Sequence, residues 1–111
     1  MNKVFLILSS ADMEVHKELT LRLALNTLKK KWMEEVRVIL WGPTEKLAIE
    51  NSWFQEQIKL LIDSGLEVYA CKASSDEYGV SQQLSEIGVN VDYMGRFTMK
   101  MLKEGWNQMT F

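Results

Sequence analysis

Cysteine is nearly absent from this sequence. Its 111 residues contain one, Cys71, so no disulfide forms within a chain, and a reducing, cytoplasmic setting is expected. Histidine also occurs once, as His16, and one His with one Cys cannot build a structural zinc site. No metal is expected. Long apolar runs are missing too. Val4 to Leu8 is too short for a signal-peptide core, and nothing approaches the roughly 20 residues that cross a bilayer. No Gly-x-Gly-x-x-Gly follows that first run, nor is there a Walker-type loop, so no cofactor is expected. Lys and Arg total 13 against 15 Asp and Glu. They are scattered without a basic stripe, which leaves nucleic-acid binding no electrostatic footprint.

What is present is ordinary for a soluble globular chain: 47% apolar and 25% charged residues, enough for one core and one domain over 1–111. Strand and helix signals alternate along it. Val4 to Leu8 reads as a strand covered on both faces. A polar loop, Ser9 to Asp12, leads into a helix from about Met13 to Lys31, which Ser10 or Asp12 can cap. Its polar stripe is narrow, so part of its surface is expected against a second subunit. Val36 to Trp41 is a second strand, stopped by Gly42-Pro43-Thr44. A short helix over Glu45 to Asn51 follows, then one opened by the capping box Ser52-x-x-Gln55 and closed by Gly65. Leu66 to Ala70 is the third strand. Two short helices, divided by Gly79, lead to Val89–Tyr93, whose alternation suggests a strand with one wet face near a sheet edge. A helix from Phe97 to Lys103 and a short strand, Gln108 to Phe111, finish the chain. The pattern predicts an α/β three-layer sandwich around a mainly parallel five-stranded sheet, flavodoxin- or Rossmann-like.

The chemistry points to one place. Cys71 ends the third strand, and Ser74-x-x-Glu77 looks like a capping box opening the next helix. Crevices beyond the carboxyl ends of parallel strands are where ligands bind in such folds. A helix N-terminus and the neighbouring Lys72 both favour a thiolate, the reactive form of cysteine. The competing reading is a packed side chain, since free cysteines are commonly buried.

Other groups carry less. Ser9 and Ser10 precede a helix N-terminus and could hold an anion, with simple capping as the plainer alternative. His16 could pair with Cys71 as a nucleophile's base, but its place in the polar first turns predicts solvent exposure. Glu34-Glu35 and Asp76-Glu77 sit where acids are expected without catalysis. Trp53 and Phe54, at a helix start, suggest a subunit contact.

Several stretches in order resemble the DsrE/DsrF-like sulfur-relay family. They are Lys3 to Leu8, Leu40-Trp41-Gly42-Pro43-Thr44 with Leu47, and Val68-Tyr69-Ala70-Cys71. Gly79-Val80, Gly88-Val89 and the Gly105-Trp106 ending continue the series. The resemblance implies a homotrimer or homohexamer, with sulfur donor and acceptor proteins as partners and Cys71 carrying sulfur as a persulfide. Lys72 and Ser74 would lie beside that sulfur, and Ser9, Ser10, Asp12, Gly42, Pro43 and Thr44 would wall the pocket. With no second cysteine, a thiol–disulfide cycle is disfavoured. The alternative is a non-catalytic oligomeric module that binds a small anionic ligand or a protein partner.

Overall fold

The computed structural model describes residues 2–111; Met1, where the expected domain begins, lies outside them. The chain runs β1 (Lys3–Leu8), α1 (Met13–Val15), a π-turn over His16–Thr20, α2 (Leu21–Lys29), β2 (Glu35–Leu40), α3 (Pro43–Glu50) and α4 (Ser52–Asp63). It continues with β3 (Glu67–Cys71), α5 (Lys72–Tyr78), α6 (Ser81–Glu86), β4 (Asn90–Asp92), α7 (Met94–Lys103) and β5 (Asn107–Thr110). All five strands are parallel, in the order β4-β3-β2-β1-β5.

This order explains the sequence patterns. β1, β2 and β3 lie in the middle and carry the apolar runs, because both of their faces are covered. β4 is an edge strand with Asn90 and Asp92 exposed, matching its alternation. β5 is the other edge, and all four of its residues are exposed.

Alternation along each strand sends side chains to opposite faces. Val4, Leu6 and Leu8, with Val36, Val38, Leu40, Val68 and Ala70, pack against α2, α3, α4 and α6 in the larger core. Phe5, Ile39 and Cys71 point the other way, where Met94 and Met101 of α7 and Trp106 cover them. The sandwich is therefore thick on one side and thin on the other.

Some expected boundaries move. The helix expected from Glu45 begins at Pro43, since the first helical position needs no N–H partner. Gly42 before it takes φ +87° and ψ −134°, a conformation that favours glycine. The helix expected to open on Ser52 is capped one residue earlier: Asn51 Oδ1 accepts the Phe54 N–H at 2.9 Å. The last helix begins at Met94 rather than Phe97.

Candidate functional site

Cys71 is the last residue of β3 and the N-cap of α5 (φ −77°, ψ 119°). The helix thus starts at Lys72, and the Ser74-x-x-Glu77 pattern does not cap it. Ser74 turns its hydroxyl to Glu45 instead. The thiol is free but buried, 5% exposed, among Phe5, Ile39, Met94 and Trp106. Lys72 does not stand free beside it. Its ammonium donates to Asp76 Oδ2 at 2.7 Å, one turn along the same helix. That bond holds the lysine above its ordinary pKa and the aspartate below its own.

The loop after β1 spends its polar groups internally. The backbone N–H groups of Ser9 and Ser10 both donate to the Phe111 carbonyl, at 2.7 and 3.1 Å, and the Ser9 hydroxyl donates there too. Neither amide is left for an anion. Asp12 is the cap, accepting the Glu14 N–H at 2.9 Å, while Ser10 Oγ accepts the Asp12 N–H. Thr44, fully buried, donates to the Leu8 carbonyl and ties α3 to the end of β1. The loop and the Gly42–Thr44 turn do meet. Ala11 and Pro43 line a cleft of about 400 Å³ with Lys46, Leu47, Glu50 and Tyr78. Cys71 is not in its wall.

The DsrE/DsrF-like family profile matches residues 1–111. The chain belongs to the DsrE/DsrF-like family. Its fold is shared with a conserved protein of unknown function, BT1422, from Bacteroides thetaiotaomicron (24% identity, 99% of this chain and 95% of that one, TM-score 0.94). The ychN protein of E. coli (16% identity, both chains fully covered, TM-score 0.72) shares it too. So does MTH1491, of unknown function, from Methanobacterium thermoautotrophicum (18% identity, both chains fully covered, TM-score 0.74). No curated protein matches the chain.

In this DsrE-like chain the groups that sequence reasoning missed lie around the cysteine rather than on it. Glu45 is fully buried. Its Oε1 accepts the Gly42 N–H at 2.9 Å and the Ser74 hydroxyl, while Oε2 has no partner among the described residues. Burial raises its pKa, against the two hydrogen bonds. A helix start at Pro43 would have placed Glu45 at the third helical position, where acids bond back to the cap. Its full burial has no sequence signal.

His16 overturns its expected exposure. It is fully buried, stacked on Phe54 with ring centroids 5.2 Å apart and planes 16° from parallel. Its Nε2 donates to the Ser10 carbonyl at 2.7 Å, and Nδ1 is hydrogen-bonded to Thr20 Oγ1 at 2.9 Å. The π-turn is the physical reason: its wider turn shifts the helix phase, which buries His16 and Thr20 and leaves Leu19 45% exposed. Phe54, the stacking partner, belongs to the larger core, on the face of the sheet away from Cys71. Both ring nitrogens are committed, and no Cys–His pair forms.

On the thin face Arg37 fills an aromatic box. Its guanidinium lies 4.6 Å from the Trp106 ring centroid, 5.4 Å from Phe97 and 5.9 Å from Tyr69, with Glu67 at 3.0 Å. Tyr69 donates to Glu67 at 2.6 Å, and burial foremost pushes its phenol up to about 12. Among the described residues no cluster of three or more His, Cys, Asp or Glu could hold a metal ion, and no helix is long and apolar enough to cross a membrane.

Proposed function

We propose that this protein is a single-cysteine sulfur carrier, with Cys71 taking sulfur as a persulfide and passing it on. One observation carries the reading: in a chain that matches the family throughout, the one cysteine sits where β3 hands over to α5. The Cys71 thiolate attacks the outer sulfur of a donor persulfide. A new S–S bond forms at Cys71 as the donor's S–S bond breaks, and the donor leaves as a thiolate with that electron pair. No oxidant, metal or second cysteine is consumed, which suits a cytoplasmic setting. Delivery to an acceptor thiol is the same exchange in reverse.

In this reading residues 1–111 act as one domain, assembled as a homotrimer or homohexamer, with donor and acceptor proteins as partners. The thin face, the exposed edge strand β5 and the half-exposed Trp53, Leu60 and Met99 favour assembly. Cys71 alone carries the sulfur in this reading, since Lys72 is engaged by Asp76 and Ser74 by Glu45.

The 5% exposure of Cys71 favours a second reading, an oligomeric binding module in which the thiol only packs. Intact-protein mass spectrometry after incubation with a persulfide donor separates them. The carrier gains one sulfur atom in the wild type and none in Cys71→Ser. A wild type that gains none, while Cys71→Ser still assembles normally, leaves the binding module.

A further inference from the structure

The burial of the thiol raises the question of what opens its turn, and Glu45 stands at that point. Its Oε1 holds the Gly42 N–H at the start of α3 and the Ser74 hydroxyl in the first turn of α5. Ser74 lies in the first turn of α5, three residues beyond Cys71, so this bond ties α3 to the turn that begins at the cysteine. The groups bonded to Glu45 are uncharged, its residue is fully buried, and Oε2 has no partner among the described residues. A buried carboxyl oxygen without a hydrogen-bond partner is costly, and simple helix packing would be better served by apolar side chains. Each such group in a folded protein calls for an explanation, and a fastening that must release is one.

We propose that Glu45 is the positioning residue of the Cys71 turn: through Ser74 it latches the first turn of α5 to the start of α3, and release of this latch lets the turn draw the thiol out from under Met94, Met101 and Trp106 on the opposite face. The latch governs access and takes no part in bond making. Its use in sulfur delivery rests on the carrier reading above, whereas the latch itself is read by an ordinary thiol reagent.

The test compares iodoacetamide labelling of Cys71 in the native wild type, Glu45→Ala, Glu45→Gln and Ser74→Ala, alongside peptide-level amide hydrogen exchange. Glu45→Ala and Ser74→Ala each label up to about tenfold faster, the factor that loss of one hydrogen bond brings to a local opening. Exchange rises over residues 71–76 and not in β1 or β2. Glu45→Gln, which keeps an amide oxygen for both donors, labels near the wild-type rate. Should Glu45→Ala fail to fold, Ser74→Ala, which removes a single hydroxyl, decides with Glu45→Gln. Equal labelling of Ser74→Ala and wild type overturns the latch. So does acceleration of Glu45→Gln to the level of the other variants, or faster exchange throughout the sheet. Sulfur loading is not measured here, so failure of the carrier reading shows itself separately.

Discussion

Among the described residues, eighteen buried apolar ones form a continuous core on one face of the sheet, beneath α2, α3, α4 and α6. On the other, six do so, and their helical members come from α7 alone. The thick face also holds buried polar groups with internal partners, among them His16, Thr20 and Thr44. The thin face holds the aromatic box around Arg37 and the one thiol. The difference teaches a division of labour: the thick face buries most of the apolar core, and the thin face covers Cys71 with little more than α7 and Trp106.

The strongest way to break this comparison is to damage each face in turn. Phe54→Ala empties a fully buried site on the thick face and removes the ring on which His16 stacks. It should cost about 3–5 kcal/mol by denaturant unfolding. Cys71→Ser on the thin face should cost far less while abolishing thiol chemistry. A larger loss from Cys71→Ser than from Phe54→Ala would reverse the assignment of roles.

Next in size comes Glu45. Glu45→Ala leaves the Gly42 N–H and the Ser74 hydroxyl without their acceptor, a loss of about 1–3 kcal/mol. Glu45→Gln separates bonding from charge. Because burial raises the folded-state pKa of Glu45, the folded chain binds that proton more tightly than the unfolded one. Stability from this group is full below the unfolded carboxylate pKa and falls as pH rises through the raised value. The glutamine variant lacks this loss. Its unfolding midpoint should match the wild type at low pH and exceed it above that window. Parallel midpoint curves at every pH would contradict the assigned cause.

Smaller effects sharpen the thin face. Tyr69→Phe removes the 2.6 Å bond to Glu67 and should cost about 0.5–1.5 kcal/mol. In the wild type one tyrosine should titrate near pH 12, and that step should vanish in the variant, as followed by ultraviolet absorbance. Lys72→Gln should change neither stability nor Cys71 labelling, because its ammonium is already engaged by Asp76 in solvent. A marked slowing of labelling would instead place Lys72 at the thiol.

Most of the fold was legible because its signals are local. The apolar runs of β1, β2 and β3, the alternation of β4 and the turns at Gly42, Gly65 and Gly79 all report short-range preferences. The strand order was not, since pairing is decided by contacts far apart in sequence. His16 was misplaced because a π-turn changes the phase of the helix, which a uniform 3.6-residue period cannot show. Trp53 and Phe54 were read alike, yet Trp53 is 45% exposed and Phe54 fully buried, the split expected of adjacent positions on a helix. The site was half legible. Cys71 follows from its position after a strand. Glu45 depends on Ser74, 29 residues away, and the Arg37 box joins β2, β3, α7 and the residue before β5.

The central claim is that Cys71 both accepts and releases sulfur. The most direct measurement is intact-protein mass spectrometry over one cycle: loading with a persulfide donor, removal of the donor, then addition of a small thiol acceptor. The account predicts one added sulfur atom, located to the peptide containing Cys71, and its loss to the acceptor with the free thiol restored. A wild-type chain whose mass never changes, or changes equally in Cys71→Ser, would contradict it.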